Sequence, residues 1–327
     1  MTNRGPAALA LRPVVAPAPL ALVEAAESAK GYAANARSEN TRKAYRGAWQ
    51  AFEDWTTAQG LAACPALPGA VAAYLAHRAD EGAKPASLNL YLSAIVEAHR
   101  AAGQDAAALR SSVEVRATMA GIKRTVGTAQ RQAAPATSDV IRALVAGLAS
   151  DVIGARDRAL LTVGFAGAFR RSELAGLDVE DLTFSARGVE VRIRRSKTDQ
   201  EGAGRTVAVP FGVAPETCPV RALRAWLDIA GIKAGAVLRS LKDGRIGARL
   251  EARDVARIVK RAAERAGLDA AKFSGHSLRA GLATSAALAG RSDRSIMAQT
   301  GHRSRAMVDR YIRGADAWRD NAAAGLL

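Results

Sequence analysis

Seven residues of this 327-residue chain combine types and spacings that suit chemistry on a phosphate. Arg170 and Glu173 stand three apart, a spacing that shares one helix face. Lys197 lies at the edge of a polar, glycine-rich stretch, SKTDQEGAG. His276 and Arg279 are again three apart, at the start of a helical stretch whose free N–H groups favour an anion. His302 follows a glycine at the start of the next-to-last helical stretch, and Tyr311 lies nine residues beyond it. A phosphodiester attacked in line gathers negative charge on its non-bridging oxygens. Two guanidiniums hold such oxygens bidentately and stay charged at any workable pH. Preorganised donors of this kind lower a barrier by about 2.7–4 kcal/mol each. A tyrosine hydroxyl, with an ordinary pKa of about 10, needs a base or a strongly cationic site to act as nucleophile. His276 is the candidate base. The leaving 5′ oxygen needs a proton, and a lysine on a loop delivers it. No Asp/Glu cluster of magnesium-site type is evident, so no metal and no other cofactor is expected; arginines take the metal's place. The constellation reads as metal-free phosphoryl transfer.

The rest of the composition agrees with a polyanionic partner. Lys and Arg number 47 against 31 Asp and Glu, a net charge of +16. Charge of that size attracts polyanions, nucleic acid first. The basic residues are spread over both halves and form no single polybasic tail, which argues against a membrane surface. Two distant cysteines, Cys64 and Cys218, have no zinc-ligand spacing and read as free, packed thiols in a cytoplasmic protein. No apolar run is long enough to span a bilayer.

These groups must be positioned by the elements around them. Residues 1–36 are Ala- and Pro-rich and read as a flexible tail. Order is expected from Ser38, where Ser38 or Asn40 caps a helix to about residue 59 with Tyr45, Trp49, Phe52 and Trp55 at helical spacing. Helices over 69–81, 85–102 and 111–125 complete a helical domain, 37–125. Residues 126–137 lose periodicity, as a linker does, and a second domain spans 138–327. It opens with helices over 138–149 and 155–168 and a short helix within GAFRRSELAGLDVEDL. Val189, Val191 and Ile193 alternate with polar residues, and Val207 and Val209 do the same, which predicts a β-hairpin with its loop at 196–204. Helices follow over 219–230, 251–267, 276–289, 292–299, 304–312 and 316–324. The fold class is mainly α with a small antiparallel β-sheet.

The boxes GAFRRSEL, SKT, SGHSLR, TGHRS and VDRYIR, in that order, resemble the tyrosine recombinase (phage integrase) family, and more narrowly its Cre-like members. The resemblance extends over residues 38–327, with TRKAYRGAWQAFEDW like the start of the family's core-binding domain. It implies an N-terminal helical, SAM-like core-binding domain and a C-terminal α+β catalytic domain. It implies a site-specific recombinase that cuts and rejoins double-stranded DNA through a 3′-phosphotyrosine, without ATP. Carried over by position, Arg170 and Arg279 grip the scissile phosphate. Lys197 protonates the leaving oxygen, His276 exchanges the tyrosine's proton, and His302 bonds a phosphate oxygen. Tyr311 is the nucleophile, and Glu173 orients the cations. Arg170 is preferred to Arg171 because it lies three before the glutamate. The family further implies a homo-tetramer on inverted-repeat sites, accessory proteins in some cases, a nucleoid setting, and a C-terminal helix that packs on a neighbouring protomer. The short tail favours a simple recombinase over an arm-binding integrase.

Each residue by itself has a plainer reading: solvated arginines, a half-buried tyrosine, a turn lysine, a capping histidine. Their co-occurrence in family order outweighs those readings. A type IB topoisomerase-like relaxase would share the chemistry, but the helical N-terminal domain and C-terminal helix argue against it. A DNA-binding architectural protein that does not cut would not need the whole set from Arg170 to Tyr311. Arg42, Lys43 and Arg46, off the apolar stripe, and Lys84 are candidate DNA contacts. His77 and His99 read as surface or packing residues, and Trp49, Trp55 and Trp226 as core.

Overall fold

The computed structural model describes residues 37–129, 132–194, 204–302 and 304–316, with a few positions between 24 and 32; at 310 and 312–316 it describes backbone only. Lys197 and residues 317–327, which include most of the expected 316–324 helix, lie outside the described residues. In the expected flexible tail, positions 24–25, 27–29 and 31–32 are helical and exposed. The chain divides into two compact units, Met1–Gln130 and Arg131–Leu327.

In the first unit, α1 (Glu39–Ala58), α2 (Pro68–Asp80), α3 (Pro85–Ala101), α4 (Ala106–Ser111) and α5 (Val113–Val126) share one core. Ser38 caps α1 by accepting the Thr41 N–H at 3.3 Å. Prolines open α2 and α3, where their missing N–H would be unsatisfied anyway. The single helix expected over 111–125 starts at Val113, and a separate α4 precedes it: Asp105 caps α4 and Ser112 caps α5. The alanine-rich α4 buries only Ala106 and Leu109, too little to give a periodic signal. Phe52, Tyr74, Leu75, Leu88 and Ile95 are fully buried. His99 lies in this core as a tether. Its Nε2 accepts the Ala66 N–H at 2.8 Å, and its Nδ1 donates to the Ile95 carbonyl at 2.8 Å. Arg42, Lys43, Arg46 and Lys84 are exposed.

The second unit is mixed. β1 (Leu182–Ser185), β2 (Gly188–Ile193) and β3 (Arg205–Pro210) form an antiparallel sheet in that order, with Val191 opposite Val207 and Val189 opposite Val209. The expected hairpin therefore forms, and β1 extends it. A second hairpin, β4 (Arg239–Lys242) and β5 (Arg245–Arg249), turns at Asp243 and Gly244, both at positive φ. Every residue of β5 is exposed, so no apolar alternation marks it in the sequence. The helices are α6 (Ser138–Ala146), α7 (Val152–Ala166), α8 (Arg171–Ala175) and α9 (Pro219–Ile229). After the second hairpin come α10 (Ala252–Arg265), α11 (Ser277–Leu288), α12 (Asp293–Thr300) and α13 (Arg305–Asp316). Most lie within a few residues of their expected spans. α13 differs: it continues past 312 to Asp316, and it carries Tyr311 inside the helix as expected.

Central to this unit is α7, whose Ala159, Leu160 and Leu161 are fully buried. Residues 134–137, expected as linker, pair with the segment that leads into α11: the Ala134 N–H donates to Lys272 O at 2.7 Å and the Ala136 N–H to Ser277 O at 2.9 Å. A Cβ on Gly281 would lie 1.9 Å from the Ala136 carbonyl oxygen, so α11 needs a glycine there. Among the described residues no helix is long and apolar enough to cross a membrane.

Candidate active site

The turn between α7 and α8 builds the first part of the site. Ala168 holds φ 48°, a left-handed conformation that costs an alanine about 1–2 kcal/mol. The turn aims the Ala168 carbonyl inward, where it accepts Arg279 Nη1 at 2.9 Å. Two residues on, Arg170 stands at the N-cap of α8. The expected shared helix face is therefore corrected: Arg170 is outside the helix, and Glu173 reaches back to it. Glu173 Oε2 accepts the Arg170 N–H at 3.0 Å and Oε1 accepts Arg170 Nη1 at 2.5 Å. This is the glutamate half of a capping box, with a guanidinium gripped as well. Glu173 is 6% exposed, so its charge is compensated by protein rather than water. Arg171 is exposed and packs beside Gly275.

Arg279, on the first turn of α11, is 4% exposed. Its Nη2 is buried and has no hydrogen-bond partner among the described residues. Leaving a charged donor dry and unsatisfied costs upwards of about 1–3 kcal/mol. Burial, then the neighbouring Arg170 charge, push its pKa down to about 10, which still leaves it charged at neutral pH. His276 occupies the N-cap position of the same helix and is exposed.

Gly301, at φ 65°, ends α12 in the left-handed conformation that closes many helices. His302 follows in the turn before α13, not at a helix start, and is 7% exposed. Its Nδ1 lies 2.9 Å from Thr300 Oγ1. Its ring stacks on Tyr311, with centroids 5.8 Å apart and planes 21° apart. Burial pushes its pKa down to about 4, helped by Arg279, Arg170 and Arg205, so the ring is neutral at pH 7. Tyr311 packs on the small apolar cluster of Ala283, Ala287, Ile296 and Val308, which docks α13 against α11 and α12.

A third guanidinium, Arg205, belongs to this cluster and is absent from the expected set. Its Nη2 lies 3.4 Å from Glu173 Oε2, and its Nη1 donates to the Gln299 carbonyl at 3.1 Å. The alternation of β3 carried a signal for it: Arg205, Val207 and Val209 fall on one face, and that face is the buried one. The structure thus brings Arg170, Glu173, Arg279, His302 and Tyr311 together.

Residues 136–317 match the phage integrase family, and residues 32–104 match the phage integrase N-terminal SAM-like domain. The chain belongs to the phage integrase family. It is closely related to XerC/XerD-type tyrosine recombinases. It is 41% identical to an integrase/recombinase xerD homolog of Selenomonas ruminantium, over 88% of this chain and 85% of that one. Tyrosine recombinase XerC of Corynebacterium glutamicum is 34% identical over 46% of this chain and 44% of its own. Among solved structures, a lambda integrase dimer bound to a COC′ core site has the same fold, with a TM-score of 0.60 at 20% identity over 88% of this chain and 75% of that one. A mainly helical N-terminal domain and a mixed α/β C-terminal domain with small antiparallel sheets match the integrase architecture. At the level of the family, the chemistry is cleavage and rejoining of DNA, and the chain is an enzyme of that general type.

Proposed function

We propose that the protein is a site-specific DNA recombinase in which Tyr311 forms a 3′-phosphotyrosine. The observation that carries this reading is the buried Arg279 Nη2, which has no hydrogen-bond partner among the described residues and belongs to a cluster with Arg170, His302 and Tyr311. A non-bridging phosphate oxygen would satisfy it. Arg170 and Arg279 then hold the scissile phosphate and take up the charge that develops in the transition state.

Tyr311 Oη attacks phosphorus and its proton passes to His276. The P–O5′ bond breaks, and Lys197 donates a proton to the leaving oxygen. The Thr300 hydroxyl donates to Ile296 O at 2.7 Å and so accepts from His302 Nδ1, and Nε2 donates to a non-bridging oxygen once the bound phosphate draws a proton onto the ring. Glu173 holds Arg170 in place from one side. Reversing the steps with a new 5′ hydroxyl rejoins the strand, and the phosphotyrosine conserves the energy of the broken bond.

Arg42, Lys43, Arg46 and Lys84 contact duplex phosphates, each adding about one unit to the salt slope of binding. Exposed Arg253, Arg257, Lys260 and Arg261 on α10 extend the basic surface of the second unit. The active assembly is a tetramer on inverted-repeat DNA in the cytoplasm, and residues 317–327 dock on a neighbouring copy. The test is covalent trapping. The protein is incubated with DNA recovered by selection from a random library, then denatured. Wild type gives a protein–DNA adduct and Tyr311→Phe gives none. An adduct that persists in Tyr311→Phe moves the nucleophile elsewhere, and no adduct from wild type ends the enzyme reading.

A further inference from the structure

Arg205 sits where an arginine needs a reason. The pleat of β3 puts it on the same face as Val207 and Val209, which are buried. Arginine is seldom placed on such a face unless it is paired. Its guanidinium joins Glu173 to the carbonyl end of α12. Nη2 lies 3.4 Å from Glu173 Oε2, whose partner oxygen holds Arg170 Nη1 at 2.5 Å. Nη1 donates to Gln299 O at 3.1 Å, near the C-terminus of α12, where unsatisfied carbonyls favour a cation. The chain then passes through Gly301 to His302. That turn lies close over the guanidinium: a Cβ on Gly301 would stand 3.0 Å from Nε and 3.1 Å from Cζ. The Gln299 side chain completes the brace, with Nε2 donating to Ala166 O at 2.7 Å and Ala208 O at 3.0 Å.

We propose that Arg205 is a positioning residue for strand cleavage, a strut that fixes the Glu173–Arg170 pair and the His302 turn in one frame. It acts through Glu173 and Gln299 and does not touch the phosphate. The strut needs the planar fork of arginine, since two acceptors in different directions are met by two rigidly related nitrogens. A lysine carries the charge but makes one flexible contact. The proposal rests on the reading of Arg170 and His302 as phosphate ligands. Arg205 also adds to the field at His302, which faces Arg170 from the turn before α8, Arg279 from α11 and Tyr311 from α13, with Glu173 as the nearby counter-charge.

The experiment compares wild type, Arg205→Lys and Arg205→Ala by three measurements: adduct formation at saturating DNA, DNA affinity, and NMR titration of the His302 ring in the DNA-free protein. Loss of a partner that orients a site group commonly costs about 10–100-fold in activity. Arg205→Lys is expected to cut at a rate lower by about that factor, with DNA affinity within about twofold of wild type. The His302 titration midpoint is expected to rise in Arg205→Ala, where a cation is lost. It should also move in Arg205→Lys, where the turn is freed. Wild-type cleavage by Arg205→Lys overturns the proposal. So does a fall in DNA affinity that accounts for the whole loss of rate, because Arg205 is then a phosphate contact. The NMR measurement does not depend on cleavage: a His302 midpoint unchanged in both variants refutes the strut even if no DNA substrate is cut. Absence of adduct from wild type alone counts against the recombinase reading instead. If Arg205→Ala fails to fold, Arg205→Lys and its titration still decide.

Discussion

Replacing Glu173 with Gln should separate stability from anion binding in opposite directions. Glu173 is the counter-charge for two guanidiniums, Arg170 at 2.5 Å and Arg205 at 3.4 Å. Its side chain is 1% exposed, and theirs are 12% and 21% exposed. Glutamine keeps one oxygen, enough for the Arg170 N–H, and turns an NH₂ toward a guanidinium that cannot accept it. Removing one partner of a buried ion pair costs about 3–5 kcal/mol. The lower end applies here, because both cations keep some contact with water. At about 3 kcal/mol and about 2–4 °C per kcal/mol for a unit of this size, the second unit should melt about 6–12 °C lower. Inorganic phosphate should then rescue the variant more than wild type, because the pocket has gained net positive charge and binds an anion more tightly. The assay is differential scanning calorimetry with and without phosphate, alongside covalent trapping, which should fall because Arg170 is no longer held. A variant that melts within about 2 °C of wild type and responds equally to phosphate would refute the assignment of Glu173 as the counter-charge.

Three further outcomes follow from the same geometry. The His302 pKa is depressed to about 4, below the ordinary value of about 6.5, so between those pH values the unfolded chain binds a proton that the folded chain does not. Stability from this residue is present above about pH 6.5 and is lost as pH falls toward about 4. Denaturant midpoints measured against pH should therefore slope less in His302→Gln, and equal slopes over that range would contradict the shift. His99→Leu leaves the buried Ala66 N–H without its acceptor and should cost about 1–3 kcal/mol. The loss should be confined to the unfolding transition of the first unit, and a shift in the second would mean the units are coupled. Gly281→Ala drives a Cβ to within 1.9 Å of the Ala136 carbonyl oxygen. It should destabilise the second unit by about 1–3 kcal/mol and speed hydrogen exchange at the Ala136 N–H, and unchanged stability and exchange would refute the close contact between Gly281 and Ala136.

Sequence alone carried the periodic elements and the order of the reactive boxes. Helical spacing of Tyr45, Trp49, Phe52 and Trp55 marked α1, and alternation of Val189, Val191 and Ile193 marked β2, because both patterns arise between near neighbours in the chain. The same local logic hid α4 and the exposed second hairpin, which bury too little to leave a stripe. It puts Arg205 in register with Val207 and Val209, but does not show what the side chain meets. Contacts made only by the folded second unit decided the rest. A left-handed Ala168 aims its carbonyl at Arg279 from more than a hundred residues away. The carboxylate of Glu173 divides between Arg170 and Arg205, which come from different elements. His302 loses its charge because burial and three arginines act on it at once. Burial and electrostatic fields sum over every element that reaches a point in space, and no window along the sequence contains that sum.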